Sequence, residues 1–212
     1  MSGRLFVIEG VDGSGKSTQF PLLTQALRAC GEECREISFP DYNDESSALV
    51  RMYLKGAFGT DANAVNAYAA SSFYAVDRFA AYQRHWGADY RAGKVIVAAR
   101  YTSSNAVHQM SKLPKEEWDA YLNWLEDFEY NKMKIPRPSL VVFLDMPVEV
   151  SQTLLLKRYH GNEQQRDIHE SNLNYMENCG WAVIPCAQDG APKEIEAIHS
   201  LLMQAVEPML KG

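Results

Sequence analysis

The stretch Leu5-Phe6-Val7-Ile8-Glu9-Gly10-Val11-Asp12-Gly13-Ser14-Gly15-Lys16-Ser17-Thr18 decides how the chain is read. Its apolar head has the length and composition of a strand. Residues 10–17 match G-x-x-x-x-G-K-[ST] in full, and a helical pattern follows. Glycines 10, 13 and 15 let the backbone turn tightly enough for its N–H groups to converge on phosphate oxygens. The positive end of the following helix favours the same anion. In such a loop Lys16 reaches the β and γ phosphates of a nucleotide and the Ser17 hydroxyl ligates Mg2+, while Val11, Asp12, Ser14 and Thr18 complete the wall around the phosphates. A glycine-rich turn that binds nothing has no need of Lys and Ser at those offsets.

Outward from this loop, strand-like runs at residues 5–9, 34–39, 95–98, 140–144 and 181–185 alternate with long stretches of helical spacing. That alternation predicts a P-loop NTPase-like α/β fold, a doubly wound five-stranded parallel sheet with helices on both faces. The first, third and fourth runs are nearly continuous β-branched and apolar residues, as in strands covered on both sides, so they should be central. Leu22, Leu23, Ala26, Leu27 and Cys30 form one apolar helical stripe, with Gly31 as its C-cap. Pro21 falls inside that helix, where it can cost about 3 kcal/mol, so the helix bends there or its first turn is irregular. Residues 61–90 read as a long Ala- and aromatic-rich helix. Residues 115–134 read as another, with Trp118, Leu122 and Leu125 on one face and Pro136 and Pro138 beyond its end. No repeat or linker divides the chain, so residues 1–212 form a single domain with a short basic lid at about 158–167.

The 212 residues are 46% apolar, enough to bury a core. Lys and Arg number 21 against 27 Asp and Glu, a net charge of −6, which argues against the broad basic face of a nucleic-acid binder. An anionic ligand must be held by a local basic site. No run of 18 apolar residues exists to span a membrane, and Glu9 follows only four apolar residues near the start, too few for a signal peptide; a cytoplasmic protein is expected. Cys30, Cys34, Cys179 and Cys186 lack C-x-x-C spacing and clustered histidines, so they read as reduced thiols.

The loop alone serves GTPases, ATPases and kinases alike. A GTPase would carry N-K-x-D; the nearest string, Asn131-Lys132-Met133-Lys134, lacks the acid. A small phosphotransferase remains. Here the motifs resemble the thymidylate kinase family. They are residues 9–18, Phe39-Pro40, Phe73-Tyr74-Ala75-Val76-Asp77-Arg78, Arg100-Tyr101, Phe143-Leu144-Asp145 and Asp167-Ile168-His169-Glu170, in the family's order over nearly the whole chain. The wider strings, Ser38-Phe39-Pro40-Asp41-Tyr42 and Asn105-Ala106-Val107-His108-Gln109, look most like a Gram-positive bacterial branch.

The resemblance implies phosphorylation of dTMP to dTDP with ATP and Mg2+, by a homodimer joined through apolar faces of the long helices. It implies that Asp12 holds the sugar 3′-hydroxyl, that Phe39 and Pro40 bend beneath the nucleotide, and that Tyr74 or Phe73 stacks on thymine. Arg78 would hydrogen-bond the base; a spacing of four puts Tyr74 and Arg78 on one helix face. Ser104, Asn105, His108 and Gln109 fall where the family reads the base edge and excludes a 2′-hydroxyl. Arg100 would clamp the acceptor phosphate, and Arg158 and Arg166 of the lid would join Lys16 over the ATP phosphates, positioned positive charge being the main catalytic instrument. Each has a plainer alternative: a turn-forming Asp12, a rigid strand exit at Phe39-Pro40, core aromatics at 73 and 74, a surface Arg100, a solvated loop at 158–166.

The chain departs from the family's pattern in places. Ala99 stands where the family has Asp before the Arg, a carboxylate that supports Mg2+ and its waters; its loss should cost on the order of 10²-fold in rate. Asp145 or Glu9 could compensate through water. Tyr42 stands where an acceptor-phosphate Arg is frequent. Residues 168–179 leave a helix of about 11 or 12 residues, near the minimum for a parallel crossover. Ala187-Gln188-Asp189-Gly190 resembles the loop that passes adenine, or is simply a turn. Two alternatives stay open, a kinase for another deoxynucleoside monophosphate and a catalytically silent nucleotide-binding protein of the same fold.

Overall fold

The computed structural model describes residues 2–156 and 180–210, apart from Thr60 and Ala62. The apolar runs form strands β1 (Arg4–Gly10), β2 (Cys34–Ser38), β3 (Val95–Ala99), β4 (Leu140–Asp145) and β5 (Ala182–Pro185). They pair in the order β2-β3-β1-β4-β5, every pair parallel, so the three runs expected to be central are central. Alternation along β1 divides its side chains between two cores. Phe6 and Ile8 join Val95, Val97, Val142 and Leu144 on one face. Helix α1 (Lys16–Ala29) and the C-terminal helix Ile195–Val206 cover that face with Leu23, Leu27, Ile198 and Leu202. Leu5 and Val7 face the other way with Ile96, Ala98, Val141, Trp86 and Tyr101.

Helix α1 runs through Pro21 without a break. Its first turn is the irregular part, because the Gly15 carbonyl accepts from both Thr18 N (3.0 Å) and Gln19 N (2.9 Å). Cys30 does not belong to the buried stripe; it is exposed at the C-cap, and Gly31 follows with a φ of 89°.

The helices on the second face are shorter than their periodicity suggested. After α2 (Ala48–Leu54), the expected helix 61–90 begins at Ala67, where the Asn66 side chain caps α3 (Ala67–Ala81) by accepting from Ala69 N at 2.8 Å. A π-helical turn, Tyr82–Trp86, separates it from α4 (Gly87–Arg91). After α5 (Thr102–Met110), residues 115–134 divide into a 3₁₀ turn Lys115–Glu117, α6 (Trp118–Glu126) and a π-helical stretch Asp127–Lys132. Trp118, Leu122 and Leu125 do pack inward, with Ala106, Val107 and Met110 of α5. Helix α7 (Val148–Leu156) follows β4. Ala187–Gln188 and Ala191–Pro192 pair as an antiparallel ribbon whose turn, Asp189-Gly190, has both φ values positive, the conformation this dipeptide favours. The expected lid with Arg158 and Arg166, the short crossover and Cys179 all lie outside the described residues.

Candidate active site

The loop after β1 is shaped by what its glycines permit. Gly10 has φ 149°, and a Cβ there would fall 2.5 Å from Ser14 Oγ and 2.9 Å from the Leu144 carbonyl. Gly15, at φ 95°, opens helix α1 from a left-handed conformation. Lys16 is largely buried and folds back to donate to the carbonyls of Gly10 (2.5 Å) and Val11 (2.8 Å). Burial, then the nearby Arg100 charge, push its ammonium down to about 8. Ser14 Oγ is buried with no hydrogen-bond partner. A cation that burial disfavours beside an unpaired hydroxyl is the local electrostatics an oxyanion would relieve.

Arg100 joins this loop to a cleft of about 780 Å³. Its Nη2 donates to Asp12 at 2.6 Å and its Nη1 donates to His108 Nε2 at 3.1 Å, so two acceptors from different elements fix the guanidinium plane. The residue pays about 1–2 kcal/mol to hold φ 67°, a left-handed conformation that non-glycine residues adopt mainly where the surroundings impose it. Burial raises the Asp12 carboxyl, but the Arg100 and Lys16 charges outweigh it and the carboxyl lies below its ordinary range. Burial, then Arg100, hold His108 down to about 4, so the ring is neutral near pH 7 and Nε2 is free to accept.

Phe39, Pro40, Tyr74, Arg78, Arg100, Ser104, Asn105, His108 and Gln109 all line this cleft, so residues from three separate stretches of sequence meet there. The Phe39-Pro40 peptide is cis. Asp77 holds the following turn, accepting from Asp41 N (3.1 Å) and Ser46 Oγ (2.6 Å). Tyr74 lines the cleft, whereas Phe73 packs on Phe58 (5.5 Å) and Tyr53 (6.3 Å) outside it. Asn105 Nδ2 donates to the Ser71 carbonyl, which leaves its buried Oδ1 without a partner; Gln109 Oε1 is buried and unpartnered one turn later. Arg78 is almost wholly buried in a fork with Glu129, which takes its Nε and Nη2. Tyr42, Tyr53 and Lys112 also line the cleft, with Lys112 donating to the Tyr53 hydroxyl, and no motif or spacing marks the last two.

Ala99 ends β3 between Ile8 and Ser38, and its carbonyl accepts from Phe39 N. Glu9 is already occupied: its carboxylate accepts from Tyr101 N (3.2 Å), Ser103 Oγ (2.6 Å) and Ser104 Oγ (2.6 Å), pinning the first turn of α5. Among the described residues no three His, Cys, Asp or Glu side chains form a metal cage. The donors at hand are hydroxyls, Ser17 at the start of α1 and the unpartnered Ser14. That set suits a hard cation that keeps its waters and arrives with a polyphosphate, so Mg2+ fits.

A family model described as Thymidylate kinase matches residues 8–200. A thymidylate kinase of Mycobacterium tuberculosis is 30% identical over 192 residues, 88% of this chain and 86% of that protein. A probable thymidylate kinase of Pyrococcus horikoshii is 30% identical over 220 residues, the whole of both chains. A solved thymidylate kinase structure from Candida albicans superposes with a TM-score of 0.73 over 99% of this chain and 93% of that one, at 21% identity, a likeness of fold.

Proposed function

The chain belongs to the thymidylate kinase family of ATP-dependent nucleoside monophosphate kinases, and from that premise we propose that it transfers the γ-phosphoryl group of ATP to dTMP. The observation that carries this is Arg100, whose guanidinium bridges Asp12 of the phosphate loop and His108 of the acceptor cleft. One group is thereby shared between the donor and acceptor ends.

Each residue's part follows from its chemistry. Loop N–H groups and Lys16 take the donor phosphates, the ammonium leaving the Gly10 and Val11 carbonyls as it does so. Arg100, planar and forked, grips two oxygens of the acceptor phosphate at the point of transfer. Asp12, which accepts from Arg100, would hold the sugar 3′-hydroxyl. Tyr74 supplies a face for the base, the unpartnered Asn105 Oδ1 accepts from its ring N–H, and Gln109 offers a second acceptor. Ser104 supports the cleft through Glu9, and Phe39 and Pro40 form its floor. Ser17 would hold Mg2+, which neutralises charge developing on the transferred group. Arg158 and Arg166 are proposed to close over ATP.

Ala99 removes one carboxylate from this arrangement, and we expect a reduced rate. The strings at residues 38–42 and 105–109 support placement in a Gram-positive-like branch, and exposed Tyr68 and Val76 on α3 support a homodimer. A cytoplasmic location accords with dTTP synthesis. The test is ADP release with ATP, Mg2+ and dTMP, with dUMP, dCMP, dGMP and AMP as competing acceptors. We expect dTMP to be preferred, and Ala99→Asp to raise kcat by about 10²-fold. Nucleotide binding without turnover in either protein would favour a silent nucleotide binder, and purine preference would refute the Tyr74 and Arg78 assignments.

A further inference from the structure

Glu129 lies outside the cleft yet is fully buried, a charge at the next position of the stripe that carries Trp118, Leu122 and Leu125. It sits in the π-helical stretch that follows α6, a rare conformation that is frequent at functional sites. Its Oε1 accepts from Arg78 Nη2 at 2.5 Å; its Oε2 accepts from Arg78 Nε at 2.7 Å and from Thr102 Oγ1 at 2.9 Å. A buried ion pair is weak as a stability device, because desolvating two charges offsets most of their attraction and an apolar pair could fill the space. The geometry offers another reason for it. The fork seizes Arg78 from behind by Nε and Nη2 and leaves Nη1 outside these bonds, on a residue that lines the cleft.

Resting on the proposed dTMP kinase function, we infer that Glu129 is a positioning residue for acceptor selectivity: it fixes Arg78 so that one N–H donor faces the base. A donor held there suits a pyrimidine with a carbonyl at that edge and opposes one with an amino group, since two donors would meet. Asn105, anchored on the Ser71 carbonyl, supplies the complementary acceptor. Without its carboxylate the guanidinium can turn, and the donor no longer has a defined place. Arg78 keeps its charge whatever the base, so only its orientation carries the discrimination.

The experiment compares kcat and KM for dTMP, dUMP and dCMP, with thermal melting, in the full-length wild type, Glu129→Gln, Glu129→Asp and the double variant Arg78→Met with Glu129→Leu. In Glu129→Gln the KM for dTMP and dUMP should rise about tenfold, kcat should change little, and the dTMP over dCMP preference should fall about tenfold. Glu129→Asp, which keeps the charge, should recover part of both. The apolar double variant should regain melting temperature without regaining selectivity, a separation that a purely structural ion pair would not produce. A lowered melting temperature in Glu129→Gln with the dTMP over dCMP ratio within about twofold of wild type would overturn the inference. If Glu129→Gln does not fold, Glu129→Asp and the double variant decide by the same ratio. A wild type that turns over no monophosphate defeats the kinase proposal alone; the ratio is then read from dissociation constants for dTMP and dCMP, and equal constants in wild type would overturn this inference too.

Discussion

At the scale of single residues, the Arg100 guanidinium is shared between Asp12 and His108, and His108 shows what that costs. Its ring is held at about 4, below the ordinary 6.5, by burial and by Arg100. As pH falls through about 6.5 the unfolded chain gains a proton on this ring, while the folded chain does not until about 4. The histidine's effect is therefore to leave stability intact above about 6.5 and remove it progressively between 6.5 and 4. In His108→Gln, whose carbonyl can still accept from Arg100, the fall in melting temperature between pH 7 and 4.5 should be smaller than in wild type. An equal fall would mean that the ring does not titrate as described. Lys16 was legible because chemistry ties it to a fixed offset in the phosphate loop, whereas Arg100 and the cleft-lining residues of α5 were legible only through the family resemblance. Glu129 was not: its only sequence signal is an acid on an apolar stripe, and its partner lies 51 positions away.

At the scale of elements, periodicity found the strands to within a residue but overran the helices. An amphipathic pattern continues through a π-helical turn and through a cap, because the same apolar residues can serve either side of the irregularity. Asn66 is the instructive case. Its side chain accepts from Ala69 N and stops α3 from extending backwards toward residue 61, an N-cap that apolar spacing does not reveal. Asn66→Ala should lower unfolding free energy by about 1 kcal/mol in urea titration, with no change in the slope of the transition. A midpoint equal to that of wild type would show that packing alone sets the helix start. The Asp189-Gly190 turn was readable as a turn from its dipeptide, and a turn is what it forms.

At the scale of the whole molecule, the two faces of the sheet do different work. One is sealed by α1 and the C-terminal helix; Leu202, fully buried with Leu23, Leu27 and Ile198, lies far in sequence from the strands it covers. Leu202→Ala should cost about 2–5 kcal/mol of unfolding free energy. Because it removes contacts on the sealed face, KM for dTMP should stay close to wild type while the protein remains folded. A raised KM with unchanged stability would contradict that division. The other face carries α3 and α5, with α6 packed on α5, and the cleft opens among α2, α3, α5 and the loop after β2.

The sequence by itself determined the phosphate loop, the five strands and their parallel pairing, because those depend on local spacing and on a nearly continuous apolar composition, and its ordered motifs carried the resemblance to the family. It also placed Ala99 where a carboxylate was expected. Only the tertiary structure decided which side chains share a charge: that Glu9 is occupied by α5, that Phe73 lies outside the cleft while Tyr74 lines it, and that Glu129 holds Arg78. The physical reason is that hydrogen-bond partners and desolvation are properties of position in space, and distant segments acquire them only when the sheet brings their ends together.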